Sequence, residues 1–204
     1  LPQVVVVTGG YASALPLYIA SKNNSPLPIV LQEQNSIPGM TTRWFSERAK
    51  SICIAFDEAN EALEENTILT GNPVRQGIAD GNRDNGIKEF KLKKDHQTIF
   101  LFGGSQGSAY LNKMLNKVVD NIAGAGLQVL WQTGDSDYNK YKHRDSKNIR
   151  VVPFIHNMAD AYAMADLIIS RSGALTLAEI TVCGKPSILV PFPSAAADHQ
   201  TKNA

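Results

Sequence analysis

A glycine-containing turn within residues 170–179 has the residue types of a phosphate-binding site. The stretch Ser-Arg-Ser-Gly-Ala-Leu-Thr-Leu-Ala-Glu follows the apolar run 167–169 and passes directly into a helical pattern. The start of a helix presents unpaired N–H groups and about half a positive charge, which attract anions. Glu179, roughly one and a half turns further along, adds a carboxylate that can accept hydrogen bonds from sugar hydroxyls. The combination predicts a nucleotide-sugar site; the alternative is an ordinary strand–turn–helix connection with a surface glutamate.

A second glycine turn, at residues 102–108, has the same sequence context. It reads Phe-Gly-Gly-Ser-Gln-Gly-Ser and separates the apolar run 98–102 from an amphipathic pattern over 109–119. It lacks the Gly-Lys-Ser/Thr ending of a P-loop, and Phe102 stands where a dinucleotide fingerprint needs glycine. Asp120 falls at the end of the helical pattern, whereas a ribose-binding acid would follow the next strand. These departures argue against kinase, ATPase and NAD-binding functions, and two such turns imply one extended ligand.

Short β-branched runs alternate with helical patterns along the chain. The alternation indicates βαβ units, parallel sheets with buried strands and therefore an α/β fold. It stops between residues 76 and 96, where a stretch rich in glycine, aspartate and asparagine is followed by lysines. A domain junction is predicted there. The predicted strands are residues 4–7, 29–31, 52–55, 68–70, 98–102, 128–131, 151–154, 167–169 and 187–190.

Composition restricts the partners and the compartment. The 204 residues are 43% hydrophobic and 19% charged, and the net charge of +1 provides no basic field for nucleic acid. Cys53 and Cys183 have neither metal-binding nor redox spacing, so we expect buried free thiols in a reducing compartment. No apolar run approaches the roughly 20 residues that span a bilayer. Any membrane contact is therefore expected to be peripheral.

Five stretches occur in an order and at a spacing that resemble one known family. They are residues 33–39 (Glu-Gln-Asn-Ser-Ile-Pro-Gly), 71–75 (Gly-Asn-Pro-Val-Arg), 103–107 (Gly-Gly-Ser-Gln-Gly), 171–174 (Arg-Ser-Gly-Ala) with Glu179, and 198–200 (Asp-His-Gln) followed by Asn203 and Ala204. Together they are similar to the MurG family of bacterial cell-wall glycosyltransferases, the undecaprenyldiphospho-muramoylpentapeptide β-N-acetylglucosaminyltransferases. Each stretch alone is weak, whereas five in register are specific, and the resemblance runs over essentially the whole chain.

The resemblance implies two Rossmann-like domains that face each other across a cleft, the GT-B fold. Residues 1–75 would be the C-terminal part of the acceptor-side domain, residues 76–96 the junction, and residues 97–204 the first part of the domain that binds the UDP-sugar. Family members have another glycine-rich turn before this region and further elements after it. We therefore expect this chain to be the central part of the enzyme, incomplete at both ends.

The resemblance also assigns donor-binding roles. The backbone of Ala174, Leu175 and Thr176 would face the diphosphate together with Ser105 and Arg75. The rigid bend at residues 72–73 would direct Arg75 into the cleft; the alternative is a surface arginine. The complete donor-binding set is Asn35, Arg75, Ser105, Ile155, Met158, Ala174, Leu175, Thr176, Leu177, Ala178, Glu179 and Gln200.

Within this set, the base, the ribose and the transferred sugar have different partners. Glu179 would accept hydrogen bonds from the ribose hydroxyls, and the Ile155 backbone with the Met158 side chain would face uracil. By composition alone, Ile155 and Met158 are better interpreted as core residues. Asn35 and Gln200 would reach the N-acetylglucosamine from opposite domains. The neighbouring His199 is interpreted as a sugar contact or a helix start rather than as a base.

The acceptor side corresponds to the turn at residues 8–13. Its predicted contacts with the lipid-linked diphosphate are Gly9, Gly10, Tyr11 and Ser13. Relatives tend to have Gly-Pro after the serine, whereas this chain has Ala-Leu-Pro at residues 14–16, which leaves the acceptor contacts open. The family's histidine before Glu33 is replaced by Gln32. The candidate general base is a histidine of the preceding glycine-rich loop and has no number here.

The implied activity is transfer of N-acetylglucosamine from UDP-N-acetylglucosamine to the muramyl C4 hydroxyl of lipid I, giving lipid II with inversion. No metal or other cofactor is expected for donor binding, and no nucleic-acid partner. The expected partners are lipid I, the cytoplasmic face of the bacterial membrane and other cell-wall synthesis proteins. Two alternatives stay open: another GT-B glycolipid glycosyltransferase, and a UDP-sugar-binding module that needs a separate chain for catalysis. The 204 residues by themselves are expected to bind the donor weakly and to transfer no sugar.

Overall fold

The computed structural model describes residues 2–22, 26–63, 66–195 and 198–204, which form two compact units. The first unit consists of residues 1–73 and 193–203, and the second consists of residues 74–192 with Ala204. Both are built from parallel strands that alternate with helices, so the predicted α/β fold class is confirmed.

The first unit contains one parallel sheet in the order β1-β2-β3-β4. Hydrophobic side chains of its strands and of α1 form the core, among them Leu17, Leu31 and Ile52. The elements are β1 (Val5–Val7), α1 (Ala14–Lys22), β2 (Ile29–Glu33), α2 (Met40–Phe45), β3 (Ser51–Ile54), β4 (Thr67–Leu69) and, from the later segment of the unit, α8 (His199–Asn203).

The second unit contains a parallel sheet in the order β7-β6-β5-β8-β9. Alternate residues of β5 enter different cores, Phe100 and Phe102 on one face of the sheet and Leu101 on the other. The elements are α3 (Arg83–Phe90), β5 (Thr98–Phe102), α4 (Ala109–Gly124), β6 (Gln128–Gln132), α5 (Asp135–Tyr141), β7 (Ile149–Val152), α6 (Met158–Met164), β8 (Leu167–Ser170), α7 (Ala174–Val182) and β9 (Ser187–Leu189).

The predicted strands are confirmed to within two residues at each end. The segment 76–96 differs from its prediction as a junction, because it contains α3 and contributes Ile87 and Phe90 to the core of the second unit. Two of its glycines, Gly81 and Gly86, lie against α6. A Cβ on Gly86 would lie 2.6 Å from the carbonyl oxygen of Asp160, so glycine allows α3 to lie directly against α6.

The segment 193–203 also differs from the predicted boundaries, because its contacts are with the first unit. The side chain of Asn203 explains this position. Its Oδ1 accepts hydrogen bonds from the Ser36 N–H (3.0 Å) and hydroxyl (3.1 Å), and its Nδ2 donates to Asn35 Oδ1 (3.0 Å). Such side-chain pairing over more than 160 residues leaves no local signal in the sequence.

Candidate functional site

The second unit has a topological switch point between β5 and β8. The chain runs outward from β5 through β6 to β7, and then returns to place β8 and β9 on the other side of β5. Phe102 at the end of β5 pairs with Ser170 at the end of β8. The two glycine turns therefore leave neighbouring strands at the same sheet edge. In open α/β sheets a crevice for ligands forms at this place.

The turn after β5 is interlocked with the turn after β6. Gly104 and Gly107 have φ angles of +92° and +80°, and the Gly107 N–H donates to the Gly104 carbonyl (3.1 Å). A side chain on Gly107 would collide with the carbonyl oxygen of Thr133. Ser108 caps α4 by accepting a hydrogen bond from the Leu111 N–H. Ser105 is exposed on this braced turn, where its hydroxyl is accessible to an anion.

Gln132 connects this turn to the segment after β7, a role that the sequence analysis missed. Its side chain is 3% exposed; Nε2 donates to the Gly104 carbonyl (3.0 Å), and Oε1 accepts from the Ile155 N–H (3.0 Å). The available signal was a polar amide at the end of a strand whose central residues 129–131 are apolar. The N–H of Ile155 is therefore already bound within the unit.

The turn after β8 leads into α7. Gly173 is the N-cap residue and has no side chain to cap the helix, so the first turn of α7 relies on other partners. Along α7, Ala174 is buried, Leu175 is exposed, and residues 176–179 are partly buried. Arg171, just before the helix, is 9% exposed and donates to the carbonyls of Val190 (3.1 Å) and Pro191 (2.8 Å).

Arg171 braces the turn rather than offering its charge to the crevice. Its guanidinium lies over the rings of Tyr110 (5.6 Å to the centroid) and Phe192 (5.4 Å). Burial lowers the pKa of Arg171 below its ordinary value, and the charge is compensated by the two carbonyl oxygens. The start of α7 adds the positive potential of its helix dipole at this turn.

Glu179 is the centre of a three-residue cluster within the second unit. Arg75 binds it through both oxygens, with Nε to Oε1 at 2.8 Å and Nη2 to Oε2 at 3.0 Å. The Tyr162 hydroxyl donates to Oε2 at 3.0 Å. The Glu179 side chain is 13% exposed and that of Arg75 is 54% exposed, whereas Tyr162 is completely buried. Tyr162 was not predicted from the sequence.

The pKa shifts in this cluster follow from these contacts. The hydrogen bond to Glu179 raises the pKa of the Arg75 guanidinium. Burial raises the pKa of the Tyr162 phenol well above its ordinary value, and the negative charge of Glu179 adds to the effect. Both donors therefore keep their protons at physiological pH.

The structure brings Arg75 and Glu179 together, but as partners of each other. From the sequence, Arg75 is predicted to contact a diphosphate and Glu179 to contact a ribose. Met158 is 8% exposed and packs in the same core cluster as Ile155 and Tyr162, so its side chain is a core residue in this structure.

In the first unit, Glu33 organises the segment that carries Asn35. Its side chain is 4% exposed and accepts from the N–H groups of Asn35 (3.1 Å) and Gly39 (3.0 Å) and from the Thr42 hydroxyl (2.7 Å). The Asn35 Nδ2 adds a longer bond to Oε1 (3.3 Å). Glu33 begins one of the five family-like stretches, but its role as an acceptor that holds this segment was not predicted.

The predicted acceptor-side turn and the Asn35 segment border one cavity of about 430 Å³. Gly9 and Gly10 each have φ of +83°, and the Ser13 hydroxyl closes the turn by donating to both of their carbonyls (3.0 and 2.7 Å). Among the lining residues are Gly10, Tyr11, Asn35, Met40, Arg43 and His199. The cavity thus joins residues predicted for two different substrates.

Asn35 and Gln200, predicted to come from opposite domains, belong to the same unit. Gln200 is partly buried on α8, next to His199. Both polar atoms of the Asn35 side chain make internal hydrogen bonds, to Glu33 and Asn203. Asn35 therefore shapes the cavity as well as bordering it.

Two further predictions concern cysteines and metals. Cys53 and Cys183 are free thiols and are partly buried; burial raises the pKa of Cys183, whose Sγ donates to the Ile78 carbonyl. Over the described ranges, no three His, Cys, Asp or Glu side chains cluster as metal ligands would. No helix in those ranges is long and apolar enough to cross a membrane.

Sequence comparisons identify related proteins along the chain. The profile of the glycosyltransferase family 28 C-terminal domain matches residues 98–204, and that of the N-terminal domain matches residues 1–54. Curated relatives named UDP-N-acetylglucosamine--N-acetylmuramyl-(pentapeptide) pyrophosphoryl-undecaprenol N-acetylglucosamine transferase occur in Flavobacterium psychrophilum and Cytophaga hutchinsonii. Each is 42% identical over 100% of this chain, which spans 56% and 55% of their respective lengths.

Solved structures give the same fold. MurG of Acinetobacter baumannii matches 98% of this chain and 56% of its own, with a TM-score of 0.71 and 29% identity. The UDP-GlcNAc 2-epimerase of Methanocaldococcus jannaschii matches 99% of this chain and 68% of its own with a TM-score of 0.62, but at 15% identity it supports the fold alone. The predicted α/β fold of GT-B type is confirmed by these matches.

Proposed function

The chain belongs to glycosyltransferase family 28, and we propose that its protein transfers N-acetylglucosamine from UDP-N-acetylglucosamine to the muramyl C4 hydroxyl of lipid I. The product would be lipid II, with inversion at the anomeric carbon. One observation carries the proposal: Glu179 lies on the helix that begins at the switch-point crevice, after the N-cap Gly173. This arrangement suits a nucleoside diphosphate.

The donor would bind with its diphosphate at the start of α7 and its ribose further along the helix. The first turn of α7, residues 174–176, and the exposed Ser105 supply donors and positive potential for the phosphates. The Glu179 carboxylate would accept hydrogen bonds from the ribose hydroxyls, with Leu177 and Ala178 on the helical turn between. Uracil would meet the carbonyl of Ile155, at the end of the segment that Gln132 holds.

Donor binding requires Arg75 to exchange partners. In the structure, its guanidinium occupies both oxygens of Glu179, which the ribose needs. A bidentate arginine–phosphate pair is comparable in strength to a bidentate arginine–carboxylate pair. Because the Arg75 side chain is 54% exposed, it can turn to the diphosphate without unpacking the core. The two roles predicted for Arg75 and Glu179 are then compatible, because Arg75 leaves Glu179 before the ribose binds to it.

In the transfer step, the acceptor C4 oxygen bonds to the anomeric carbon as the bond from that carbon to the diphosphate oxygen breaks. UDP leaves with the bonding electrons, and the hydroxyl proton passes to a general base for which we assign no residue of this chain. Preorganised donors at α7, Ser105 and Arg75 would stabilise the charge that develops on the leaving phosphate. This scheme needs no metal ion.

The first unit would hold the sugar and the acceptor. Its cavity is bordered by Gly10 and Tyr11 of the turn at residues 8–13, by Asn35, and by His199 next to Gln200. The glycine turn, in which Gly10 is exposed and Gly9 is partly buried, suits a lipid-linked diphosphate. Ser13 would act by fixing the shape of that turn.

We further propose peripheral contact with the cytoplasmic face of the membrane, where lipid I and other cell-wall synthesis proteins would be met. Leu15, Tyr18, Ile19 and Lys22 stand on one face of α1 at helical spacing. Leu15 is 66% exposed and Ile19 is 56% exposed. An apolar face that ends in a cation is suited to an anionic lipid surface.

The decisive experiment measures both binding and transfer with the whole protein. Glu179→Ala should weaken UDP binding by about 1–3 kcal/mol, roughly 5- to 150-fold, because ribose hydroxyls lose a charged partner. Transfer of labelled N-acetylglucosamine to lipid I should fall at least as much. Glu89→Ala, which removes an exposed carboxylate from α3 of the same unit, is the matched control. Wild-type UDP affinity in folded Glu179→Ala protein would refute the donor site.

A further inference from the structure

We propose that Tyr162 is a positioning residue of the donor site, whose hydroxyl holds Glu179 in place while Arg75 leaves and the ribose arrives. The inference rests on the proposed ribose-binding role of Glu179 and extends it to a residue of another helix. Tyr162 would not touch the donor itself.

The position of the Tyr162 hydroxyl is set by the sheet. Its ring contacts Phe100 (6.1 Å between centroids, 64° between planes) and Phe102 (6.0 Å, 71°), both on β5 and both edge to face. All three rings are in the buried core cluster of the second unit. Phe102 directly precedes the glycine turn predicted to face the diphosphate. The ring packing therefore fixes the hydroxyl relative to the strand that carries that turn.

The two partners of Glu179 differ in how easily they can leave. Arg75 is half exposed on a long flexible side chain, whereas Tyr162 is completely buried and has one rotatable group, its hydroxyl. The phenol pKa is raised by burial, so the hydroxyl stays a donor over the whole physiological range. When the guanidinium turns to the diphosphate, the hydrogen bond of 3.0 Å to Oε2 remains.

This remaining bond has a chemical consequence for ribose recognition. With Oε2 held by Tyr162, Oε1 faces the space that Arg75 Nε occupied, and the second lone pair of Oε2 faces the space of Nη2. Two vicinal hydroxyls present two donors, as the guanidinium does. The two ribose hydroxyls would thus take the place of the two guanidinium N–H donors, while the Glu179 carboxylate keeps its position.

The test is the conservative variant Tyr162→Phe, measured by calorimetry on the whole protein with UDP and with 2′,3′-dideoxy-UDP. We expect UDP affinity to fall about 2- to 10-fold, the order of one net hydrogen bond, because Glu179 must then be held in place by the ribose alone once Arg75 has left. The dideoxy ligand, which has no ribose hydroxyls, should lose less than about 2-fold. Tyr138→Phe on α5, a partly buried tyrosine of the same unit, should change neither affinity.

Two outcomes would overturn the role of Tyr162: unchanged UDP affinity, or equal losses for UDP and the dideoxy ligand, which would indicate general damage to the fold. A double-mutant cycle with Glu179→Gln adds a second criterion, because the effect of Tyr162→Phe should largely vanish in that background. Full additivity would also contradict the proposal. Failure of the proposed function looks different: the wild-type protein would then bind UDP and the dideoxy ligand equally, or not at all.

Discussion

Two glutamates, one in each unit, show two ways in which a fold can hold a carboxylate. Glu33 ends β2 and accepts hydrogen bonds from Asn35, Gly39 and Thr42, all within nine residues of it. These donors are neutral and lie in the loop after β2 and at the start of α2. Glu179 instead takes one donor from a fully buried tyrosine and two from a half-exposed arginine 104 residues earlier in the chain.

The difference separates a structural carboxylate from an exchangeable one. Nothing that holds Glu33 can leave without unfolding the loop, since two of its donors are backbone N–H groups. Arg75 can leave Glu179 by rotating its own side chain. A buried carboxylate whose main counter-charge is mobile is therefore a better indicator of a ligand site than burial or hydrogen bonding alone.

Of the substitutions considered, removal of Glu33 should have the largest effect on stability. We expect Glu33→Ala to lower the free energy of unfolding by about 3–4 kcal/mol, because several buried donors lose their acceptor at once. Urea denaturation gives the magnitude. Hydrogen exchange should show faster exchange of the Asn35 and Gly39 amides, while the second unit is unaffected. Glu47→Ala, an exposed carboxylate after α2, is the control, and equal effects of the two variants would contradict the assignment.

High pH should weaken the Glu179 cluster through Tyr162. The folded-state pKa of the phenol is raised above the ordinary value near 10, so its contribution is fully present below about pH 10 and is lost as the pH rises toward the folded-state pKa. Between pH 10 and 11, wild-type protein should lose about 1 kcal/mol more unfolding free energy than Tyr162→Phe. Parallel pH profiles of the two proteins would show that the buried hydroxyl is not linked to stability.

Removing Arg75 should have a small effect on stability and a larger one on the ligand. Because the guanidinium is half exposed and screened by solvent, Arg75→Ala should cost less than about 1 kcal/mol of unfolding free energy. Lys94→Ala, which removes the exposed ion pair with Asp84, should cost about the same. UDP affinity should fall only for Arg75→Ala, as calorimetry can show. A loss of several kcal/mol in stability would make Arg75 a structural partner like those of Glu33.

Chelation should have no effect at all. In the proposed donor site, the positive charge near Glu179 comes from Arg75 and the start of α7. EDTA should therefore leave the UDP affinity measured by calorimetry unchanged. A strict requirement for Mg²⁺ or Mn²⁺ would contradict this assignment and point to another class of transferase.

The sequence was sufficient where the signal is local. The strands, both glycine turns and the helix that carries Glu179 follow from β-branched runs, glycines and helical spacing, and they lie where predicted. The contacts that complete the site are not local. Gln132, Tyr162 and the pairing of Arg75 with Glu179 depend on which side chains meet across a folded sheet.

The segment 76–96 shows a different limit. Its glycines and asparagines indicate a break, yet Asn82 caps α3 and Gly86 lets α3 approach α6 closely. The same residue types serve a turn or a tight helix contact, and only the partner helix decides between them.

The switch point also has a consequence for synthesis, because the crevice beside β5 needs a strand that is made late. β5, β6 and β7 can pair in the order in which they emerge, but β8 must return past two strands to reach β5. The bond from Thr98 N–H to the Asp166 carboxylate, which anchors that return, closes a separation of 68 residues. Pairing over such a distance is intrinsically slow. A nascent chain stalled short of residue 170 would lack the end of β8, and therefore one wall of the crevice.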